Sequence, residues 1–389
     1  MVSARLRQPE GDSMAPARWE VLRNVKRVIV KLGSGVLALP GIGLDERTLR
    51  SLAGQVAKLA REGYEFVLVS SGAIAAGTPA MGLDKAPERL NLQQAAAAVG
   101  QSRLMWTYER HFRRYGRQVA QVLLTHDDLA SRKRYLNARN TLTTLLRCNV
   151  IPIINENDTV ATEEICFGDN DALAALVVPL IGADLLVILS HVDGLYTANP
   201  ARHGQARLLA RVDRVTKEIE QMADSTPGAG GRGGMLAKVQ AAKRAASMGV
   251  PTVIACGRRP NVLQKILGGE EIGTLFLSPR GKPASRKSWI AHVPKARGTL
   301  LIDDGAKRAL TQDGKSLLPS GIVEVVGEFR FGDAVRCVDM AGVEVARGLV
   351  RYTATELRRI KGMHTSKIPE VLGRKYQAEA IHRDDLVIL

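Results

Sequence analysis

Aromatic side chains are scarce in this chain: Phe, Trp and Tyr together make up 4% of its 389 residues. A surface that grips nucleic acid by stacking bases on exposed rings has little to be built from. Cysteine is rarer, with four residues (Cys148, Cys166, Cys256 and Cys337) so far apart that no C-x-x-C occurs. That spacing gives neither a disulfide framework nor a zinc site, and it suits a reduced, cytoplasmic setting. The seven histidines form no H-x-x-x-H pair, so a helical metal site is not indicated. No apolar run approaches the ~20 residues of a membrane span, and no membrane partner is expected. Residues 1–24 lack the apolar middle of a signal peptide and read as a loose tail. G-x-S-x-G is absent, which leaves a serine-hydrolase elbow without support.

What is present is positive charge and apolar bulk. The net charge is +16, and 45% of the residues are hydrophobic, enough for a full core and, at this length, for two domains. The charge is unevenly spread. From Arg297 onward, 15 Lys and Arg face 13 Asp and Glu, whereas residues 232–265 hold seven basic side chains and no acid. Residues 103–139 hold nine basic residues against three acids. Most of these read as solvated helix faces, and a field that attracts an anionic, ATP-like ligand is the functional reading.

Apolar patterning alternates between strand and helix. Residues 27–31 read as a buried strand, 45–62 as a helix with Leu49, Leu52, Val56 and Leu59 on one stripe, and "EFVLVSS" as a second strand. "QVAQVLLT", "VIPIIN", "DLLVILS", "TVIAC" and "TLFL" continue the strands, with helices over 88–112, 134–147, 172–181 and 235–248. The pattern predicts a three-layer α/β domain over 25–283, a mostly parallel sheet between helices, with ligands beyond the carboxyl ends of the strands. Residues 284–296 read as a linker. The segment 297–389, with one helix over 304–312 and several short strands, reads as a small β-rich, barrel-like domain with a C-terminal tail.

Five loops carry polar or glycine-rich chemistry. Lys31-Leu32-Gly33-Ser34-Gly35 is neither G-x-G-x-x-G nor a P-loop. It combines bare N–H groups and a point charge fit for phosphate, or it is a tight turn with a snorkelling lysine. Ser70-Ser71-Gly72 opens a helix with small residues, which suits an anion at a helix N-terminus or close helix–sheet packing. In Ile154-Asn155-Glu156-Asn157-Asp158 a dense polar group projects from the end of an apolar strand. Gly168-Asp169-Asn170-Asp171 offers more caps than a helix start requires, and a carboxylate there would orient lysines or hold magnesium. Gly228 to Lys238 places five glycines before a helix with Lys238 in its first turn, as in a loop closing over ATP phosphates or a linker. Two lysines, three glycine-rich turns and two acidic-amide clusters at one sheet edge match phosphoryl transfer.

In order along the chain stand "VKLGSGVL", "SSGAIAAG", "AAVGQSRL", "LNARNTL", "INENDTVAT", "GDNDALAAL", "DGLYTANP" and "GRGGMLAK", followed by "SLLPSGI" and "GLVRY". From about Val25 to the end, this series resembles the glutamate 5-kinases, amino acid kinases that carry a C-terminal PUA domain. "INEND" with "GDND" separates it from uridylate, acetylglutamate and carbamate kinases of the same fold. The resemblance implies ATP-dependent phosphorylation of L-glutamate, the first committed step of proline synthesis, with feedback inhibition by L-proline and a homo-oligomer. It gives Lys31 to the phosphates, Ser71, Gly72, Asp158 and Asn170 to glutamate with Asp169 close by, and Lys238 to the transferring phosphoryl. Asp171 would hold the two lysines. Gly33, Ser190, His191 and the run Arg232, Gly233, Gly234, Met235, Leu236, Ala237 would contact ATP, and Mg²⁺ would enter through the ATP phosphates. His191 stands where related sequences often carry Asp, and Arg232 where Thr is frequent. Alternatives are a kinase for a different acid, a catalytically dead homologue, and an RNA-binding protein, since PUA domains often bind RNA. The near-neutral C-terminal segment disfavours the last.

Overall fold

The computed structural model describes residues 18–39, 42–160, 170–224, 234–278, 290, 296–372 and 378–389. Helix α1 (Arg18–Leu22) leads into β1 (Arg27–Leu32), α2 (Ser34–Leu37), the two-residue strands β2 (Ala38–Leu39) and β3 (Gly43–Leu44), α3 (Glu46–Arg61) and β4 (Glu65–Ser70). Next come α4 (Ala73–Gly77), α5 (Leu90–Arg113), β5 (Gln118–Leu124), α6 (His126–Ala130), α7 (Arg132–Arg147) and β6 (Val150–Glu156). α8 (Asn170–Ile181), β7 (Leu185–Ser190), β8 (Arg211–Val212), α9 (Lys217–Asp224), α10 (Met235–Ser247), β9 (Thr252–Cys256), α11 (Val262–Leu267) and β10 (Thr274–Phe276) complete the first unit.

Eight strands form one sheet in the order β5-β6-β4-β1-β7-β9-β10-β8. Only the β9–β10 pair is antiparallel. β1, β4 and β7 are continuous apolar runs because helices cover both faces. One core cluster gathers residues of α7, α8 and α10, and a second gathers residues of α3, α5 and α11. β1 lies between β4 and β7, pairing Leu32 with Ser70 on one side and with Leu189 on the other. The chain proceeds from β1 to β4 in one direction and returns to β7 in the other. Such a switch opens a crevice at the carboxyl ends of the strands, where α/β sheets bind ligands.

The second unit has its own core and a mixed five-stranded sheet, β12-β11-β13-β14-β15. These strands are β11 (Gly298–Ile302), β12 (Ile322–Gly327), β13 (Ala334–Val338), β14 (Glu344–Leu349) and β15 (Leu386–Ile388), and only β11 and β13 run parallel. Leu349 and Val387 pack against the core of the first unit.

Two expectations need correction. Residues 18–22, expected to be part of a loose tail, form α1: Leu22 is buried in the second core cluster and the Arg18 guanidinium donates to the Ile272 carbonyl. Residues 1–17 of that tail lie outside the described residues, as does the expected linker apart from Ile290 and Ala296. Among its described residues, the C-terminal unit also contains two helices beyond the expected one, Ala354–Ile360 and the short Ile368–Leu372. The sequence signal of Ala354–Ile360 is the capping box Thr353–Glu356, a T-x-x-E pattern whose two side chains satisfy each other's backbone N–H groups.

Candidate active site

The alternation of β1 places Lys31. Val28, Val30 and Leu32 enter the second core cluster and Ile29 the first, so period two turns Lys31 to the face that α8 covers. α8 is apolar almost all round and buried from Leu173 to Ile181, the signature of a core helix. Its first turn carries Asp171, which is 0% exposed. Lys31 Nζ lies 2.6 Å from Asp171 Oδ1, and Lys238 Nζ, in the first turn of α10, donates to Asp171 Oδ2 at 2.9 Å. Lys31 is 2% exposed and Lys238 6%. Lys238 also reaches the Gly234 carbonyl at 3.4 Å. Two ammonium groups thus share one carboxylate in a buried site. Positive charge held in this way at the carboxyl ends of the strands suits an anionic ligand.

The nucleotide-side candidates gather beside this triad. Gly33 donates its N–H to the Leu189 carbonyl at 3.2 Å and caps α2 in an extended conformation. A Cβ on Gly35 would meet His191 Nδ1 at 3.2 Å, so the imidazole lies against the bare backbone of α2. Ser190 ends β7, buried and in register with Cys256 of β9. Arg258 donates from Nη2 to the Gly35 carbonyl at 3.1 Å. Burial, then the charges of Lys238 and Arg258, hold the His191 pKa below the ordinary imidazole value. Met235, Leu236 and Ala237 open α10, whose N-cap Gly234 is extended and has no side-chain cap. Arg232, Gly233 and Asp169 lie outside the described residues.

The acceptor-side candidates meet around Asn170, the first residue of α8. Its Nδ2 faces the Ser70 carbonyl at 3.0 Å, Ser71 Oγ at 3.0 Å and Asn155 Oδ1 at 2.9 Å. Gly72 follows with φ 105°, a left-handed conformation that turns β4 into α4 and that other residues resist. Asp158, half-buried, follows the end of β6 at the same sheet edge.

The polar run after "VIPII" departs from expectation. Asn155, already the last residue of the strand read as "VIPIIN", and Glu156 do not project beyond the strand; they are its last two residues and both are buried. Asn155 thereby becomes the hub of the acceptor-side hydrogen bonds, linking Asn170 to Gln101 on α5, whose Oε1 accepts from Asn155 Nδ2 at 2.9 Å. The quoted stretches "INENDTVAT" and "AAVGQSRL" contained both residues, but their pairing is tertiary and no local pattern encodes it. Arg258 likewise reads in the sequence only as surface charge, because its bond to the Gly35 carbonyl is tertiary.

The sequence pattern of the Amino acid kinase family matches residues 26–256, and that of the PUA domain matches 298–372. A protein of Geobacter sulfurreducens named Glutamate 5-kinase is 50% identical over 372 residues, which covers 96% of this chain and 100% of the relative. Proteins of that name from Syntrophotalea carbinolica and Cupriavidus taiwanensis are each 51% identical, over 371 and 369 residues, covering 95% of this chain and 99% of each relative. With about half the positions shared along nearly its whole length, the chain belongs to the glutamate 5-kinase group of the amino acid kinase family and carries a C-terminal PUA domain.

Proposed function

We propose that the chain transfers the γ-phosphoryl group of ATP to the side-chain carboxylate of L-glutamate, yielding L-glutamyl 5-phosphate and ADP as the first step of proline biosynthesis. The observation that carries this reading is the pair of buried ammonium groups on the two oxygens of Asp171. A carboxylate oxygen of glutamate attacks the γ-phosphorus while the bond to the β,γ-bridging oxygen breaks and ADP departs. Glutamate, with a pKa near ~4.3, is already ionised at neutral pH, so no general base is needed. The difficulty is bringing two anions together and stabilising charge on the equatorial oxygens of the moving phosphoryl. Lys31 and Lys238 supply that charge, and Asp171 holds them in place without itself reacting.

Glutamate is assigned to Ser71, Gly72, Asn170 and Asp158, with Asp169 alongside. ATP is assigned to Lys31, Gly33, Ser190, His191 and residues 232–238. Both oxygens of Asp171 are engaged by lysines, and among the described residues no group of three His, Cys, Asp or Glu is placed to hold a metal. Mg²⁺ is assigned to the phosphates with which ATP brings it. Feedback inhibition by L-proline, a homo-oligomeric state and a cytoplasmic location are proposed on family resemblance.

Incubation with ATP, Mg²⁺ and hydroxylamine tests the reading, because an acyl phosphate is trapped as a hydroxamate. The hydroxamate is expected with L-glutamate. Its formation with N-acetylglutamate and not with glutamate would overturn the assignment.

A further inference from the structure

We propose that Gln101 is a positioning residue for the acceptor site, fixing the amide of Asn155 and through it that of Asn170. The inference rests on reading that site as the seat of an amino-acid substrate, and it adds a residue that acts on the site from a neighbouring helix. Three carboxamides run in file from α5 to α8. Gln101 Oε1 accepts from Asn155 Nδ2 at 2.9 Å, and Asn155 Oδ1 accepts from Asn170 Nδ2 at 2.9 Å and from the Glu156 N–H at 2.9 Å. Each amide has a donor end and an acceptor end. An acceptor on α5 therefore orients the whole file. Its far end is Asn170 Oδ1, which is buried and has no partner among the described residues. An unmet buried acceptor is unfavourable, and an arriving donor such as the α-ammonium group of an amino acid satisfies it.

The place of Gln101 is itself fixed. A Cβ on Gly100, its neighbour, would lie 1.8 Å from the Ala73 carbonyl oxygen of α4, and a Cβ on Gly77 of α4 would lie 1.8 Å from that of Ala96 on α5. α4 begins directly after Ser71 and Gly72. The two-glycine contact therefore ties the helix that carries Gln101 to the turn that carries another partner of the Asn170 amide. About two turns further along α5, Tyr108 places its hydroxyl 2.8 Å from Ser70 Oγ. Gln101 is 9% exposed, and its Nε2 has no partner among the described residues. Its bond to Asn155 is thus the polar anchor of the side chain.

Calorimetric titration of L-glutamate and of ATP into the full-length protein and its Gln101→Met, Asn170→Ala and doubly substituted variants tests the proposal. Gln101→Met keeps an unbranched, helix-favouring side chain and removes both polar atoms. It is expected to weaken glutamate binding about tenfold, the scale of one buried hydrogen bond, and to leave ATP affinity within about twofold. The same substitution should add little once Asn170 is alanine, as befits residues acting in series. Gln101→Glu, which retains an acceptor for Asn155 Nδ2, is expected to recover most of the affinity. Unchanged glutamate affinity in Gln101→Met, or two losses that multiply independently, overturns the proposal. If the Met variant melts well below wild type, Gln101→Ala replaces it in the cycle. A wild-type protein that takes another amino acid in place of glutamate overturns only the substrate reading, and the same cycle titrated with that acid then decides the role of Gln101.

Discussion

Lys31 and Lys238 reach opposite oxygens of one carboxylate, at 2.6 and 2.9 Å from Asp171. One lysine rises from the central strand and the other from the start of a helix that packs on α8, so the distance between the two positive charges is set by core packing. If the two lysines have the role proposed above, replacing either by alanine is expected to lower kcat by about two to four powers of ten, as for charge that acts mainly on the transition state. Rapid-quench or steady-state assays with saturating ATP and glutamate check this, and an unchanged kcat would remove that lysine from its role.

Asp171→Asn keeps the shape of the site and removes the negative charge between two buried ammonium groups. Breaking a buried ion pair from one side costs about 3–5 kcal/mol. The variant should melt well below wild type and lose turnover as well. Thermal denaturation with and without ATP measures both the loss and its partial recovery as the triphosphate replaces the missing charge.

His111 makes stability depend on pH. It is 3% exposed, and neither ring nitrogen has a hydrogen-bond partner among the described residues. Burial, then Arg110, lower its pKa, Glu46 opposes them, and Arg114 and Arg50 lower it further. A histidine whose folded pKa is depressed contributes stability that is fully present above the unfolded value, near ~6.5, and is lost as pH falls through the folded one. The melting temperature should therefore drop on acidification below about pH 6.5, and His111→Phe should make that slope shallower. An identical slope in the variant would assign the acid sensitivity to other groups.

Gly100→Ala inserts a methyl 1.8 Å from a backbone oxygen that cannot step aside within its own helix. Separating α4 from α5 is expected to cost about 1–3 kcal/mol or more, with a lower melting temperature and a raised KM for glutamate. A melt and a glutamate saturation curve on the same preparation test both.

How much of this the sequence disclosed depended on the range of the forces involved. β1, β4 and β7 were legible as strands because a sheet covered on both faces demands unbroken apolar runs. Lys31 stood out as a charge at the end of such a run. Asp171 stands among three polar residues where one cap suffices, and a carboxylate there reads as orienting lysines or holding magnesium; which carboxylate bridges which two lysines is implied by family resemblance, since Lys31, Asp171 and Lys238 are distant in the chain. The continuation of β6 through Glu156 was hidden because Asn and Asp usually mark turns. Here the ladder to β5, which pairs Leu123 with Asn155 and Leu124 with Glu156, overrides that preference. The Gln101–Asn155 bond left no trace in any window of sequence, because it depends on a glycine contact between two helices.

The enclosure of α8 has one more consequence. Dissolved ions shield charges at the surface but penetrate poorly to a carboxylate walled in on every side. Raising ionic strength should therefore screen exposed basic side chains such as Arg258 and weaken the capture of ATP, raising its KM. The turnover of enzyme already saturated with both substrates should change far less, because the charges proposed to act on the moving phosphoryl, those of Lys31 and Lys238, are buried.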